Sequence, residues 1–421
     1  MFINLKDLFV SSDDSVSSMI HILSIRQNTK VPKSRVSLPS GRNSSKERKR
    51  DLLLRAVMMK VLSMVLVLLL RLFVTNACTE FRLTSEDNSV VVGRSMEFFD
   101  LRYDLVVEPE QYPDIAIPKK ECIVHSPSLL QWKNKYSIAY VNALDLPVAT
   151  DGFNEAGLSV AANLFVGFAH FQKIPVEKCH MAVSSLQLPL WILGNFGTVQ
   201  ELRDALKKDT FPLVFEFNLP EKVKKILQLH YSIVDASGDA IVIEFTEQGR
   251  MVFDNTLGIL TNSPPYDFHL MNVRNYVELS KSAHDSLVLG KMTFEATGQG
   301  SGLLGIPGDF TPPSRFVRAA VMAHFSDQVQ TGKDAVIKAF HILNTVDIPR
   351  GTSFDYTVWS VVKDLTTKSL YFRFYDDLTI CVLHMNDVKK DKRLKMKMNE
   401  CIGGFVNIAK DLKLAMVHDE L

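Results

Sequence analysis

An apolar stretch that ends directly before a cysteine constrains this chain more than any other feature. Residues 61–77 follow Lys60, consist mostly of Leu and Val, and end with small residues at positions −3 and −1 relative to Cys78. This pattern is typical of a secretory signal peptide and predicts cleavage after Ala77. Cys78 would then carry both a thiol and a free α-amino group. Because that amine has an unperturbed pKa of about 8, it is a suitable base for its own thiol.

The segment ahead of the signal peptide is unusual. Residues 1–58 are polar and end with a basic run at 46–50, and Met59 offers a start that gives a signal peptide of ordinary length. We therefore assign residues 59–77 as the signal peptide and 1–58 as an over-extended start or a discarded leader. In the alternative interpretation, residues 1–58 stay in the cytosol and 61–77 form a signal anchor. That stretch is shorter than the roughly 20 residues of a membrane span.

The last four residues, 418–421, read His-Asp-Glu-Leu. At the very end of a chain this sequence is an address for retention in the endoplasmic reticulum that a receptor recognises. Together with a signal peptide it predicts residence in the lumen of the endoplasmic reticulum, with an HDEL-type retention receptor as a partner. Secretion or a lysosomal location is the alternative. The Lys-rich segment 386–421 is predicted to be an appended helical tail.

Composition and cysteine spacing exclude several classes of protein. Hydrophobic residues make up 46% of the chain and charged residues 23%, which is ordinary for a soluble globular protein. A formal net charge of +1 gives no signature of nucleic-acid binding. The five cysteines show no CxxC pair and no zinc-ligand spacing, so we predict neither a metal nor a cofactor. With Cys78 free, two disulfides in any of three connectivities remain for Cys122, Cys179, Cys381 and Cys401.

The chain after the cysteine is predicted to begin with a β-hairpin. Two alternating segments, residues 79–83 and 90–98, flank a turn signal. Such a hairpin brings Arg94 and Glu97 back beside Cys78. A cation there favours the thiolate, and a carboxylate there holds and orients the α-amine. A surface ion pair at the strand end is the alternative for these two charges.

Further alternating and helical patterns follow along the chain. They predict strands at 136–144, 158–165, 230–235, 240–245, 249–252, 257–261, 356–363, 369–374 and 378–384, and helices at 198–208, 312–325 and 334–344. Strands 249–252 and 257–261 are expected to continue the sheet of the hairpin before them. Asn163 interrupts an apolar run, and a buried Asn must be hydrogen-bonded, so it either ties down a loop or lines a site. Asn262 follows a strand end, where its amide either points into a cleft or forms a turn.

Five short motifs follow one another in a fixed order. They are Cys78-Thr79, Gly93-Arg94-x-x-Glu97, Asp151-Gly152-x-Asn154-Glu155-x-Gly157-Leu158, Thr261-Asn262-x-Pro264-x-Tyr266-Asp267, and Pro307-Gly308-Asp309 through Ser314-Arg315-Phe316-Val317-Arg318. Over residues 78–385 this set resembles the choloylglycine hydrolase family, which includes penicillin V acylases and bile salt hydrolases. The resemblance implies an α+β fold, the four-layer αββα sandwich of N-terminal-nucleophile hydrolases. It also implies hydrolysis of linear, non-peptide amide bonds in N-acyl substrates, and a homotetramer in many members.

The resemblance implies a role for each of five residues. Cys78 falls on the nucleophile, with its own amine as the proton carrier. Arg94 falls on the arginine that flanks the sulfur, and Glu97 on the carboxylate that contacts the α-amine, where the family usually has Asp. Asn262 falls on the amide that donates to the oxyanion, and Arg315 on the arginine that completes the charged network around the cysteine.

The second oxyanion residue of the family departs from the pattern. It is often Asn, whereas a gapless alignment from Gly157 places Leu164 there, with Asn163 one residue earlier. In a strand, one residue turns the side chain to the other face. A backbone N–H near residues 163–164 is the alternative donor.

Two other functions remain alongside the cysteine amidohydrolase. One is an acid ceramidase-like or N-acylethanolamine amidase, which shares a Cys-Thr start and a nearby arginine. The other is a catalytically silent protein that binds acyl amides, suggested by the changes at Glu97 and Leu164. Among amidase substrates, penicillins, bile salts, acyl lactones and lipid amides all remain open, because the loops that line the pocket decide between them.

Overall fold

The computed structural model describes residues 77–98, 101–116, 122, 129–143, 146–208, 210–217, 227–389 and 391–404. The predicted leader, the signal peptide up to residue 76 and the HDEL segment lie outside the described residues. Within the described part of the chain, no helix has the length and apolar character needed to cross a membrane.

A six-stranded antiparallel sheet carries the start of the predicted domain. Its strands, from edge to edge, are β14 (Ile259–Leu260), β1 (Ala77–Thr84), β2 (Val90–Phe98), β17 (Tyr356–Asp364), β18 (Ser369–Phe374) and β19 (Asp377–His384). The β1–β2 hairpin agrees with the sequence prediction and places Cys78 opposite Met96.

An eight-stranded antiparallel sheet packs against the first. Its strands, from edge to edge, are β13 (Gly249–Asp254), β12 (Ala240–Thr246), β11 (Leu229–Val234), β8 (Ser159–Leu164), β7 (Ala149–Asn154), β6 (Ile138–Ala143), β3 (Tyr103–Glu108) and β20 (Leu394–Lys397). The turn between β7 and β8 explains one motif. Oδ1 of Asn154 accepts hydrogen bonds from the backbone N–H groups of residues 156–158, and Gly157 adopts a φ of 96° that favours glycine.

The remaining elements are short strand pairs and helices. The pairs are β4 (Pro113–Ile115) with β5 (Gln131–Lys133), β9 (Ala182–Ser184) with β10 (Leu213–Phe215), and β15 (Leu287–Leu289) with β16 (Met292–Phe294). The α-helices are α1 (Leu188–Asn195), α2 (Val199–Lys207), α3 (Tyr266–Val273), α4 (Pro312–Phe325) and α5 (Gly332–Asn344). Short 3₁₀ helices cover Val176–Met181, Arg274–Tyr276, Ser301–Leu303, Met385–Asp387 and Met398–Glu400.

Three apolar clusters hold the layers together. Ile192 of α1 belongs to a cluster between the helices α1 and α2 and the eight-stranded sheet. Val361 and Val141 belong to the cluster between the two sheets. Phe316 of α4 packs in a third cluster that contains Phe81 of the six-stranded sheet. The layer order is therefore helix, sheet, sheet, helix, and the predicted αββα sandwich is confirmed.

Local signals predicted most element types correctly. The helix predicted at 198–208 is α2, and Thr198 caps it by accepting the backbone N–H of Glu201. The disulfides are Cys122–Cys179 and Cys381–Cys401, one of the three connectivities that the sequence left open. Cys78 is a free cysteine.

Two predictions about sheet membership and helicity are wrong. The strand predicted at 257–261 does not continue the sheet of β12 and β13, because β14 pairs with β1 in the other sheet. The helical tail predicted from residue 386 is wrong for Leu394–Lys397, which form β20 against the edge of β3. Backbone pairing with an open sheet edge satisfies the hydrogen bonds of this segment and overrides its weak amphipathic pattern.

Candidate active site

Cys78 lies at the start of β1 with its sulfur in an apolar environment. Its Sγ lies 3.6 Å from Sδ of Met96, and the residue is 1% exposed. Cys78 forms part of the lining of an apolar pocket, whose other lining residues are Met96, Phe98, Leu101, Tyr103, Ala143, Leu146, Val148, Ala149, Thr150, Ala162, Leu164, Leu186, Leu227 and Leu229. An apolar acyl group held in this pocket would lie against the thiol.

The backbone of Cys78 meets a polar network on its other side. Its nitrogen donates to Oδ1 of Asn262 at 2.5 Å, and its carbonyl oxygen accepts from Nη1 of Arg315 at 2.6 Å. Arg315 also donates to Oδ1 of Asn262 at 2.9 Å and to Oγ1 of Thr79 at 2.7 Å. Three residues that the family resemblance singled out, far apart in the sequence, therefore meet at one backbone position.

Two further hydrogen bonds fix Asn262, one at its side-chain amide nitrogen and one at its backbone carbonyl oxygen. Nδ2 donates to the carbonyl oxygen of Leu164 at 3.1 Å, at the wall of the apolar pocket. Nε2 of His269 lies 2.7 Å from the carbonyl oxygen of Asn262 and donates to it, and the imidazole stacks on Phe316 with centroids 4.8 Å apart. Burial lowers the pKa of His269 to about 4, so this ring is neutral at neutral pH.

Arg94 spans the space between the two sheets. From β2 its guanidinium donates to the carbonyl oxygens of Thr150 and Ala162 at 2.9 and 2.7 Å, and to Oδ1 of Asn163 at 3.1 Å. Nη1 also lies 3.3 Å from Oδ2 of Asp151. The guanidinium is fully buried, and these contacts fix it in one orientation.

Asn163 and Leu164 serve different parts of the site. Asn163 accepts from Arg94, and its Nδ2 donates to the carbonyl oxygen of Thr261 at 2.9 Å, so it ties down the segment that carries Asn262. Nε2 of His230 lies 3.1 Å from the same carbonyl oxygen. The side chain of Leu164 lines the apolar pocket, and its carbonyl oxygen accepts from Asn262. The predicted oxyanion role of either residue stays a prediction.

Glu97 presents a carboxylate that is only partly satisfied. It stands opposite Ala77 in the β1–β2 ladder, and Oε1 accepts from Oγ1 of Thr357 at 2.7 Å. Its Oε2 is buried and has no hydrogen-bond partner among the residues that the structure describes. Burial raises the pKa of Glu97 to about 7, although the positive charge of Arg315 acts in the opposite direction. Glu97, which faces the residue before Cys78, therefore carries a buried carboxyl group that either binds a proton or needs a nearby cation.

The thiol of Cys78 feels opposing influences. Burial raises its pKa above the ordinary value, because an apolar environment disfavours the thiolate. The charges of Arg94 and Arg315 lower the pKa, and the charge of Glu97 raises it. The charges of two cations and one carboxyl group thus act on the pKa of this thiol.

Sequence reasoning missed several residues that support this site. They include Asp151 as a partner of Arg94, Thr357 as a partner of Glu97, and the histidines at 230 and 269. Asp151 lies within a quoted motif, so that motif was the available signal. Among the described residues, no group of three or more His, Cys, Asp or Glu is placed to hold a metal ion.

Comparison with known proteins gives one consistent result. The profile of the family "Linear amide C-N hydrolases, choloylglycine hydrolase family" matches residues 78–396. A bile salt hydrolase/transferase from Clostridium perfringens is 32% identical over 326 residues, which are 75% of this chain and 94% of the relative. A penicillin V acylase from Pectobacterium atrosepticum is 26% identical over 286 residues, which are 62% of this chain and 68% of that protein.

A solved structure agrees with the sequence matches. A variant of the conjugated bile acid hydrolase from Clostridium perfringens superimposes with a TM-score of 0.68 at 29% identity, covering 79% of this chain and all of that one (100%).

Proposed function

The chain belongs to the choloylglycine hydrolase family of linear amide C–N hydrolases, and from that premise we propose that Cys78, freed by signal-peptide cleavage, is its catalytic nucleophile. The observation that carries the proposal is the double placement of this residue. Its sulfur faces the apolar pocket, and its backbone nitrogen lies in the polar network of Asn262 and Arg315. A substrate in the pocket would therefore meet the thiol, while the nitrogen that cleavage turns into the proton carrier is held by the polar network.

The proposed reaction proceeds through a thioester. The α-amine of Cys78 takes the thiol proton, and the thiolate attacks the carbonyl carbon of the amide. The proton then passes from the amine to the leaving nitrogen, the C–N bond breaks, and the acyl group stays on the sulfur. Water, deprotonated by the same amine, then attacks the carbonyl carbon of the thioester. The C–S bond breaks, the acid leaves, and the amine returns its proton to the sulfur. No oxidant, reductant or further reactant is required.

Stabilisation of the oxyanion is assigned to Asn262. Its Nδ2 points to Leu164 at the pocket wall, 3.1 Å from the carbonyl oxygen of that residue. A substrate carbonyl oxygen that replaces the oxygen of Leu164 would accept this hydrogen bond from Nδ2 of Asn262. One such fixed donor is worth about 3–4 kcal/mol in the transition state. Arg94 and Arg315 favour the thiolate, and Glu97 is assigned to hold the α-amine.

The pocket indicates the substrate class. Among the described residues its walls are almost entirely aliphatic or aromatic, and the one hydroxyl besides that of Tyr103 belongs to Thr150. Such walls fit the acyl part of an N-acyl amide and offer no charged partner to a polar acyl group. The amine part would extend from the carbonyl towards the polar network.

We also propose that the protein resides in the lumen of the endoplasmic reticulum. The disulfides Cys122–Cys179 and Cys381–Cys401 support this location, because disulfides persist in oxidising compartments. The signal peptide and the HDEL sequence point to the same compartment.

The proposed function is tested with matched amides. Purified mature protein is incubated with glycine amides of phenoxyacetic acid, a steroid acid and a long-chain fatty acid, and glycine release is measured. We expect hydrolysis of at least one amide, a thioester on Cys78 detectable by mass, and a loss of at least about a thousandfold in Cys78→Ala. Binding of the amides should persist in that variant. Wild-type protein that binds these amides without glycine release or a thioester would instead be the silent binding protein.

A further inference from the structure

Lys363 is a fully buried lysine in an otherwise largely apolar strand. It lies in β17, between β2 and β18, and none of its side chain is exposed (0%). Its Nζ lies 2.8 and 2.9 Å from the two carboxylate oxygens of Asp151, which belongs to β7 in the other sheet. A buried ammonium is costly unless it is paired, so the ion pair with Asp151 is the reason this lysine is tolerated.

Asp151 has a second cationic partner, and this partner belongs to the candidate active site. Its Oδ2 lies 3.3 Å from Nη1 of Arg94. On the other side of the lysine, Oε2 of Glu80 lies 3.6 Å from Nζ of Lys363. Glu80 stands opposite Arg94 in the β1–β2 ladder and two residues from Cys78, so it shares a face with the cysteine. Charges of alternating sign therefore run from Glu80 to Arg94 across both sheets.

Among the described residues, the other hydrogen-bond acceptors of Arg94 are neutral. They are the carbonyl oxygens of Thr150 and Ala162 and the amide oxygen of Asn163. The carboxylate of Asp151 is thus the charged group in direct contact with the guanidinium, and it offsets part of the charge of Arg94. Lys363 holds that carboxylate by both oxygens and takes up part of its charge.

We propose that Lys363 is a positioning residue: by binding Asp151, it keeps the guanidinium of Arg94 and its charge available to the thiol of Cys78. The consequence for turnover rests on the function proposed above, whereas the consequence for the thiol does not. Glu80 of β1 shares the sheet face of the cysteine, and the three charged groups that shift the pKa of the thiol are Arg94 and Glu97 from β2 and Arg315 from α4. Of these three, Arg94 is the one in contact with Asp151.

Removal of the lysine should therefore raise the pKa of the Cys78 thiol. Without Lys363, Arg94 is the remaining cation paired with Asp151 among the described residues. The buried network around the sulfur also loses one positive charge. Both changes disfavour the thiolate. The apolar pocket does not include Lys363, so binding of the acyl group should be unaffected.

The test measures the thiol directly. Alkylation of Cys78 by iodoacetamide is followed by intact mass in the full mature chain between pH 5 and 10, for the wild type, Lys363→Met and Lys363→Arg. We expect the midpoint to rise by about one pH unit in Lys363→Met, with alkylation at neutral pH about tenfold slower. Lys363→Arg keeps the charge and should restore most of the rate. On a hydrolysed amide, kcat should fall with KM within about twofold.

A matched control lies in the turn that connects β17 to β18. Lys368 is half-buried, and its Nζ donates to the carbonyl oxygens of Ala156 and Leu365 rather than to a carboxylate. Lys368→Met should leave the midpoint unchanged. A folded Lys363→Met protein with the wild-type midpoint would overturn the proposal, since a purely structural lysine changes the melting temperature alone.

If Lys363→Met does not fold, a second pair of variants tests the proposal. The double variant Glu80→Gln/Lys363→Met removes one charge of each sign and is compared with Glu80→Gln. A higher midpoint in the double variant supports the proposal, and equal midpoints overturn it. Alkylation needs no substrate, so a wild type without amidase activity would defeat the proposed function while this titration still decides the role of Lys363.

Discussion

The backbone nitrogen of Cys78 donates a hydrogen bond to Oδ1 of Asn262 at 2.5 Å, although the two residues are 184 positions apart. The side chain assigned to the oxyanion therefore also binds the atom that cleavage after Ala77 would turn into an α-amine. Arg315 donates to the same amide oxygen at 2.9 Å and fixes its direction. Because this nitrogen is already oriented, cleavage would supply the base at the required position.

The first prediction concerns that cleavage. Ala77→Arg places a large cation at position −1 of the signal peptide, which signal peptidase disfavours. The product should keep residues before Cys78, have an amide in place of the amine, and lose activity about a hundredfold or more, the usual worth of a general base. Intact mass and N-terminal sequencing measure the processing. Ala77→Gly keeps a small residue and should be processed normally, and an active chain that retains its leader would contradict the mechanism.

The second prediction concerns the carboxylate opposite residue 77. Burial raises the pKa of Glu97 to about 7, and its Oε2 has no hydrogen-bond partner in the described part of the chain, so an adjacent ammonium would stabilise the ionised form. Glu97→Gln removes this charge, and we expect kcat/KM to fall about 10- to 100-fold, since such a pair contributes a few kcal/mol. Glu97→Asp keeps the charge and should retain activity within about tenfold. Equal activities of the Gln and Asp variants would show that the charge is not required.

The sequence predicted the parts of the site that depend on local signals. Alternation and a turn signal predicted the hairpin that begins at Cys78, and the strand end before Asn262 was visible from the prolines that follow it. The family resemblance then supplied the αββα fold and the set of five site residues. Short-range patterns were sufficient for the hairpin and for the strand end, because each of these is encoded by residues close together in the sequence.

The remaining parts depend on contacts between distant residues. Thr357 reaches Glu97 over 260 positions, and Lys363 reaches Asp151 over 212 positions. No periodicity links such pairs, and a lysine in an apolar strand does not name its partner. The same limit explains the error at β14, because local alternation predicts a strand without specifying which sheet it joins.

The third prediction concerns how the free energy of unfolding depends on pH through His269. Burial lowers the pKa of His269 from 6.5 to about 4. Below pH 6.5 the unfolded chain therefore binds a proton that the folded chain does not, and stability falls as the pH falls from about 6.5 to about 4. The full shift corresponds to about 3 kcal/mol. Urea unfolding at several pH values should show this slope in the wild type and a shallower slope in His269→Gln, and identical slopes would contradict it.

The last prediction concerns the disulfide between Cys381 and Cys401. Cys381 lies in β19 at the edge of one sheet, and Cys401 follows β20 at the edge of the other, 20 positions away. Replacing both residues with Ser should lower the free energy of unfolding by about 3 kcal/mol, the entropy of closing a loop of this length. Hydrogen exchange should accelerate first in β20, because β3 is its one strand partner among the described residues. The matched variant at Cys122 and Cys179 should destabilise the chain while leaving exchange in β20 slow, and acceleration of β20 in both variants would show that this disulfide does not specifically anchor the strand.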